Sequence, residues 1–288
     1  MSIDNSNTAN KIEKKPPFSL PFDKRPLVMG VLNVTPDSFS DGGKFYNQDK
    51  AAAHALLMAE QGADMIDIGG ESSRPGATEI GADEEIDRVI PVLERLKGKL
   101  NVPISIDTRR SEVARKACQA GASIINDISG LTHDEAIAEI AAETGSYLIL
   151  MHMLGNSATM QINIHYDDLI QDISDFLAQA ASKAIARGVP RARIIIDPGI
   201  GFGKTVEHNF SLIKHIPEFM KLGFPVLIGA SRKSFIGKTL GIDINERLEG
   251  SLAAAVYAVC NGVSIIRVHD VLQTVRAMTI INKIAEAE

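Results

Sequence analysis

Short apolar runs alternate along the chain with longer amphipathic stretches, and each run ends in a polar cluster. Runs that are apolar throughout, without alternation, are typical of parallel strands covered by helices. Stretches of helical length follow them, such as 49–63, 84–98 and 110–122, and the last repeats the i, i+3, i+4 spacing of a helix laid on a sheet. Strands are predicted over 27–34, 65–70, 103–107, 123–128, 146–152, 193–199, 225–231 and 264–270.

The number and order of these elements indicate the fold. Alternating strands and helices predict parallel strands joined by right-handed crossovers, and eight such units over about 250 residues match a closed barrel. The sequence therefore predicts an α/β fold, a single (β/α)8 TIM barrel over residues 26–288, with the active site at the C-terminal ends of the strands. An open doubly wound sheet is the alternative. Residues 1–25 are polar and proline-containing, which predicts a flexible N-terminal tail.

A barrel of this kind gathers its chemistry where the loops after the strands converge. One polar residue at a strand end is compatible with a helix cap or a turn. The repetition at one strand end after another is what indicates a shared opening. The polar residues at these ends are Asn33, Asp67, Asp107, Asn126, Asp127, His152, Asp197, Ser231, Arg232, Lys233, Ser234, Arg267, His269 and Asp270.

The sixth strand ends in the segment DPGIGFGK, which places Asp197 directly before a turn rich in glycine. Pro198 cannot continue a strand ladder, and the glycines permit backbone angles that a side chain would forbid. The spacing does not fit a phosphate-binding P-loop, because only three residues separate Gly199 from Gly203 where that loop has four. It does not fit the dinucleotide fingerprint either. The segment is therefore predicted to hold a carboxylate at the barrel mouth.

The residue types at the mouth suggest a ligand with two kinds of end. Acceptor groups of Asp107, Asn126 and Asp197 suit a flat heterocycle that carries N–H groups along one edge, since carboxylates make charge-assisted bonds to such an edge. Cationic groups suit a phosphorylated or carboxylated substrate. The cations at the mouth come from other loops and are Arg74, Lys233, Arg267 and His269.

Composition argues against several classes of partner. A formal net charge of −6 and a pI near 5.7 do not favour general binding to nucleic acids or anionic membranes. The N-terminal sequence has no apolar signal region, and no run of about 18 uncharged apolar residues occurs. Cys118 and Cys260 stand in helical, alanine-rich contexts and are predicted to be buried, reduced thiols, as in a cytoplasmic protein.

Two of the loops at the mouth are longer than usual for a barrel. The segment TPDSFSDGGKFYN, residues 35–47, follows the first strand, and ESSRPGATEIGADE, residues 71–84, follows the second. Long loops that contain glycine at a barrel mouth are candidate lids. Ordinary surface loops are the alternative.

The motifs at the strand ends resemble those of the dihydropteroate synthase family. They are NVTPDSFSDGG, DIGGESSRPGA, SIDT, NDISG, LMHM, DPGIGFGK, SRKSFIG and RVHD, and they occur in this order over nearly all of the chain beyond the tail. One departure is Ser73, which stands where the family usually has Thr. Because the hydroxyl is kept, we expect retained function with altered contacts to the aryl substrate or to inhibitors.

The resemblance implies a transferase that condenses 6-hydroxymethyl-7,8-dihydropterin diphosphate with para-aminobenzoate, releasing pyrophosphate, with Mg²⁺ as cofactor. It also implies a homodimer, a place in folate biosynthesis and a target for sulfonamides. Asn33, Asp107, Lys233, Arg267 and His269 are implied as catalytic. The implied pterin site comprises Asp107, Asn126, Ile128, Met151, Asp197, Phe202, Lys233 and Arg267. The implied para-aminobenzoate site comprises Phe39, Ser73, Arg74, Pro75, Lys233 and Ser234, while Asn33, Arg267 and His269 hold the diphosphate and Asn33 the metal.

Three other functions remain open at this stage. A cobalamin-dependent methyltransferase shares a pterin-binding barrel, but the motifs SRKS and SSRPG favour the synthase. An aldolase-type barrel would use Lys233 as a Schiff-base amine, but no other feature of the sequence indicates imine chemistry. A non-enzymatic pterin-binding protein is disfavoured because every predicted polar position holds a chemically competent residue.

Overall fold

The computed structural model describes residues 18–22, 25–35, 44–72, 76, 78–155 and 159–287. Each predicted strand is present, one or a few residues shorter than predicted. The strands are β1 Leu27–Asn33, β2 Met65–Gly69, β3 Ile104–Asp107, β4 Ile124–Asp127, β5 Tyr147–Met151, β6 Ile194–Asp197, β7 Leu227–Ile228 and β8 Ile265–Val268.

Helices fill the segments between the strands. Short 3-10 turns at Arg191–Arg193 and Ile244–Glu246 accompany them. The α-helices are α1 Lys44–Glu60, α2 Ala82–Leu96, α3 Ser111–Ala120, α4 Ala136–Thr144, α5 Leu169–Ala186, α6 Val206–Lys214, α7 Ile216–Met220, α8 Ser234–Leu240, α9 Leu248–Cys260 and α10 Val271–Ala285.

The strands form one parallel sheet in the order β6-β5-β4-β3-β2-β1-β8-β7. Every ladder between neighbours is parallel. The two ends of this order meet through a parallel bridge between Ile196 and Val226, and the Ile196 amide donates to the Pro225 carbonyl at 3.0 Å. The TIM barrel is therefore confirmed, and the open doubly wound sheet is wrong.

Two apolar layers hold the barrel together. Successive strand residues point to opposite faces, so each strand supplies both layers. In β5, Leu148 and Leu150 join the layer under the helices, whereas Tyr147 and Ile149 point into the barrel. This two-sided burial explains why the strand sequences are apolar throughout. The interior layer comprises Leu20, Leu27, Met29, Met65, Ile124, Tyr147, Ile149, Ile195, Leu227 and Ile265.

Residues 18–22 lie within the segment predicted as a flexible tail, yet they pack against the N-terminal end of the barrel. Leu20 is buried in the interior layer, and its amide donates to the Tyr147 hydroxyl at 3.1 Å. Phe18 and Phe22 contact the Tyr147 ring with centroid distances of 5.4 and 6.3 Å. This end of the barrel is thus covered by apolar side chains, and the site must use the other end.

The cysteine prediction is half right. Neither cysteine forms a disulfide, and Cys118 is buried near Ser146. Cys260 is exposed, because the last turn of α9 turns that position outward. Within the described residues, the helices are too short or too polar to cross a membrane.

Replacing Tyr147 by Phe tests the contact with the N-terminal segment. The Tyr147→Phe variant leaves the buried amide of Leu20 without its acceptor, which costs about 1–3 kcal/mol. We expect urea unfolding to show a free energy of unfolding lower by this amount. The KM values for ligands bound at the barrel mouth should stay unchanged, because the substitution lies at the opposite end of the barrel. Ser182→Ala, which removes the hydroxyl of an exposed serine of α5, is the control and should not lower stability in this way. Equal stability of the two variants would contradict the contact.

Candidate active site

The alternation of side chains decides which polar residues enter the barrel mouth. Asn126, Asp197 and Arg267 each stand two positions after an interior apolar residue of their strand, so they point inward above it. The same register turns Asp67, Asp107 and Met151 inward. Parallel strands all end at the same side, which brings these side chains together from separate parts of the chain.

Arg267 lies at the centre of this group. Its Nε donates to Asp67 Oδ2 at 2.7 Å, and one terminal nitrogen donates to Asp107 Oδ2 at 2.9 Å. Asn126 Nδ2 donates to the same Asp67 oxygen at 3.0 Å. One guanidinium and one carboxylate therefore connect strands β2, β3, β4 and β8.

Asp107 is a carboxylic acid poised near neutrality. Burial, and after it the negative charge of Asp67, raises the pKa of Asp107 to about 7, while Arg267 opposes the rise. The group therefore changes between acceptor and donor around neutral pH.

Asp197 is held by the glycine turn that follows it. Its Oδ1 accepts from the Gly199 amide at 2.7 Å, and burial raises its pKa. Gly199 has φ +74°, and a Cβ there would lie 1.9 Å from the carbonyl oxygen of His152. Only glycine fits this position. The turn thus fixes one oxygen of Asp197 and leaves the carboxylate at the mouth.

Lys233 reaches the same turn from the loop after β7. Its Nζ donates to the Ile200 carbonyl and lies 4.2 Å from the centre of the Phe202 ring. Burial lowers the pKa of Lys233 to about 7, and the charge of Asp197 opposes this change. Gly201 makes room for the stem, since a Cβ there would lie 2.9 Å from Lys233 Cδ.

A second lysine supports the turn from behind. Lys204 is 4% exposed, and its Nζ contacts His152 Nδ1 at 2.8 Å and donates to the Phe202 carbonyl at 2.9 Å. Burial lowers its pKa well below the usual value. His152 pairs with this amine and does not reach the mouth, because its position in the strand faces the outer layer.

The loops after β7 and β8 are joined to each other. Ser231 Oγ lies 3.2 Å from His269 Nδ1 and also accepts from the His269 amide. Arg232 has φ +58°, unusual outside glycine, and its guanidinium forms a two-bond pair with Asp270, with Nε 2.9 Å from Oδ2. These contacts hold Lys233 and His269 on adjacent loops.

Two arginines of the loop after β3 form hydrogen bonds and ion pairs with the loop after β2. Arg110 Nη1 donates to Glu71 at 2.9 Å and to Glu85 at 2.6 Å, and Nη2 donates to the Ile80 carbonyl at 2.6 Å. Arg109 also contacts Glu71, at 3.3 Å. Both ends of the long second loop, residues 71–84, are therefore bound to the loop after β3.

The described part of the structure contains most of the predicted site residues. Asn33 ends β1, Lys233 caps α8 and the exposed Ser234 begins it. Ile128 lines a small pocket together with Asp107. The roles of these residues stay predictions. Phe39, Ser73, Arg74 and Pro75 lie outside the described residues, as do parts of both candidate lids.

Sequence reasoning assigned no role to Asp67 or Lys204, although both belong to motifs that it singled out. A charged residue in the otherwise apolar strand MIDIG was the available signal for Asp67. Lys204 gave only a weak signal, because a lysine after a turn is usually a solvated surface residue.

Comparison with known proteins agrees with this geometry. The profile of the family described as pterin binding enzyme matches residues 29–269. Fold, site and profile together define a TIM-barrel enzyme of the pterin-binding class. The chain is 47% identical over 263 residues to dihydropteroate synthase of Escherichia coli K12, covering 91% of this chain and 93% of that protein. It is 49% identical over 265 residues to that of Synechocystis, covering 92% and 90%.

Solved structures give the same result. Xanthomonas albilineans dihydropteroate synthase with 4-aminobenzoic acid has a TM-score of 0.87 at 44% identity, covering 92% of this chain and 95% of that one. The same enzyme in complex with 7,8-dihydropteroate has a TM-score of 0.84 at 41% identity, with coverage of 92% and 95%. The chain belongs to the dihydropteroate synthase family and is a transferase, which confirms the predicted family and activity.

The titration of Lys233 tests the electrostatics of the mouth. In protein labelled at lysine Cε, we expect the Lys233 carbon resonance to move with a midpoint near pH 7, because burial favours the neutral amine. Exposed lysines titrate near pH 10.4. Lys233→Arg assigns the signal by removing it. A midpoint for Lys233 above pH 9 would disprove the assignment.

Proposed function

We propose that this site joins 6-hydroxymethyl-7,8-dihydropterin diphosphate to para-aminobenzoate by dissociative substitution at the pterin CH2 group. The observation that carries the proposal is the convergence of Asp107, Asn126 and Asp197 on one floor, with Lys233 and Arg267 beside them. A heterocycle with N–H groups on one edge and a diphosphate on the other matches acceptors and cations in this arrangement.

Asp197 is the proposed anchor of the pterin. Its carboxylate would accept protons from the 2-amino group and N3, since two parallel acceptors suit a guanidine-like edge. Asn126, Asp107 and Lys233 would bind the remaining ring edge. The buried Met151 and the half-buried Ile128 and Phe202 would form apolar walls.

Lys233 and Ser234 lie at the start of α8 and are proposed to border the para-aminobenzoate site. The Xanthomonas albilineans relative with bound 4-aminobenzoic acid supports this class of second substrate. Phe39, Ser73, Arg74 and Pro75 would complete the site. The Yersinia pestis relative in complex with a sulfonamide drug, at 46% identity and a TM-score of 0.87, supports sulfonamides as inhibitors.

Asn33, Arg267 and His269 are proposed to hold the diphosphate. The described residues contain no cluster of three or more His, Cys, Asp or Glu that would hold a metal by itself. Magnesium is usually bound by one or two protein oxygens together with substrate phosphates, so the amide oxygen of Asn33 at the end of β1 fits it. When bound, Mg²⁺ would neutralise negative charge on the departing pyrophosphate.

The substitution needs no side-chain nucleophile. The electron-rich dihydropterin can bear positive charge at its exocyclic CH2, so the C–O bond breaks with its electron pair going to pyrophosphate. The amine of para-aminobenzoate then forms the new C–N bond and loses a proton. Arg267 and His269 would stabilise the leaving group, and the surrounding residues would orient the two substrates.

A homodimer is proposed on the apolar side chains that α9 and α10 leave exposed. Tyr257, Ile280 and Ile284 are 47%, 61% and 66% exposed, and exposed apolar groups close together favour association. The cytoplasm is the proposed location, because neither cysteine is in a disulfide, as in a reducing compartment.

A coupled pyrophosphate assay separates the candidate functions. We expect pyrophosphate release when dihydropterin diphosphate, para-aminobenzoate and Mg²⁺ are all present, and a large loss when either of the last two is omitted. Tight pterin binding without turnover would instead indicate a binding protein. Methyl transfer from a methylated pterin to cobalamin would indicate a methyltransferase, and either result would disprove the proposal.

Asp197→Asn tests the division between ring and diphosphate. Losing a charged acceptor costs about 1.5–3 kcal/mol, which weakens pterin binding about 10- to 150-fold. Calorimetry should show this loss for a dihydropterin, with pyrophosphate binding unchanged. Asp175→Asn, on an exposed helix position, is the control and should alter neither. Equal losses for both ligands with Asp197→Asn would show that this residue does not recognise the ring.

A further inference from the structure

Asp67 is a fully buried carboxylate that touches two of the proposed substrate-binding residues. It is 0% exposed, it stands in the middle of β2, and its Oδ2 accepts from Arg267 Nε and Asn126 Nδ2. We propose that Asp67 is a positioning residue, which fixes the orientation of the Asn126 amide and the Arg267 guanidinium toward the substrate. This inference rests on the proposed function and deepens it.

The contact with Asn126 sets the orientation of its amide. A side-chain amide has two N–H donors on nitrogen and an acceptor oxygen. One N–H of Nδ2 is engaged by Asp67 at 3.0 Å, which leaves the oxygen and the second N–H for a ligand. Without this contact the amide could flip and exchange the positions of its oxygen and its nitrogen.

The contact with Arg267 holds the guanidinium near its stem. Asp67 takes Nε, and Asp107 takes one terminal nitrogen. These bonds use two of the five N–H donors of an arginine, so the remaining ones are available for diphosphate oxygens. Asp67 is the more deeply placed of the two carboxylates, with side-chain exposure of 0% against 14% for Asp107. It can therefore keep its bond when a substrate draws Asp107 away.

Asp67 also influences the ionisation of Asp107. The charged groups that act on Asp107 are Asp67 in β2, Arg267 in β8, Glu85 in α2 and Asp127 in β4, and Lys233, directly before α8, also interacts with it. Removing the charge of Asp67 takes away repulsion, so the pKa of Asp107 should fall from about 7. A neutral side chain that only filled this space would not move this pKa.

The test is Asp67→Asn, which keeps the shape and removes the charge. We expect KM for dihydropterin diphosphate to rise about 10- to 100-fold, as for a lost charge-assisted hydrogen bond, while KM for para-aminobenzoate changes less than about threefold. The acid limb of the kcat/KM profile for the pterin substrate should move to lower pH. Asp64→Asn is the matched control, because Asp64 pairs with Arg25 at the opposite end of the barrel. It should leave all three quantities unchanged.

A measurement on the wild-type protein keeps the inference testable if the Asp67→Asn variant does not fold. In the wild-type protein, the side-chain N–H groups of Asn126 should exchange slowly with water, with and without a bound dihydropterin. Asn261, with an exposed side-chain amide bond, provides the fast reference, and equally fast exchange at Asn126 would overturn the inference. Where Asp67→Asn does fold, a cycle of Asp67→Asn and Asn126→Ala is a second test, and additive effects on pterin affinity would also overturn the inference.

The outcomes separate this inference from the proposed function. If the wild-type protein releases no pyrophosphate in the coupled assay, the proposed function fails. If the wild-type protein is active and Asp67→Asn leaves the pterin KM and the pH profile unchanged, only the role of Asp67 fails.

Discussion

The site depends on one guanidinium that lies between two carboxylates inside a closed barrel. Placing Arg267, Asp67 and Asp107 at the mouth removes charge from water, and the attraction between them repays this cost only with good geometry and further hydrogen bonds. Asn126 supplies such a bond to Asp67. Burial of this kind contributes little net stability, so its main consequence is a fixed orientation of groups that would otherwise move.

The glycine turn after β6 allows the backbone to come close to two charged side chains, Asp197 and Lys233. Asp197 and Lys233 have opposite charges and come from different loops, and each needs backbone close beside it. At Gly199 the backbone passes the His152 carbonyl, and at Gly201 it passes the stem of Lys233, at distances that leave no room for a Cβ. Lys204 then ties the turn to the end of β5. The turn therefore holds Asp197 and Lys233 close to each other at the mouth, as the proposed pterin site requires.

Much of the fold could be predicted because two-sided burial leaves a strong pattern of apolar runs. The strand ends were less predictable: β7 was expected over 225–231 and spans Leu227–Ile228, since Pro225 has no N–H to donate and only a bridge joins this strand to β6. Packing of residues 18–22 was missed because a few apolar side chains in a polar, proline-containing segment gave no periodic signal. Exposure of Cys260 depends on which way the last turn of α9 faces, and composition does not record that.

The candidate site could also be predicted only in part. Residues that end a strand were visible one by one, but the pair Arg267–Asp67 joins positions 200 residues apart, and only closure of the barrel brings them together. Continuous apolar runs also hide which residues face inward, because both faces are apolar. The mouth loops near Phe39 and Arg74 belong to the part of the chain for which the sequence remains the only guide.

The pKa values of about 7 for Asp107 and Lys233 have a common consequence. A group whose pKa lies near neutrality changes its protonation state at little free-energy cost around neutral pH. A ligand edge rich in N–H groups favours the charged form of Asp107, and a negatively charged ligand favours the charged form of Lys233. A substrate that carries both features therefore creates, at small cost, the charges that bind it. Without substrate, Asp107 and Lys233 do not both have to carry a full charge away from water. Buried groups with ordinary pKa values would have to carry such charges, at a high cost in solvation free energy.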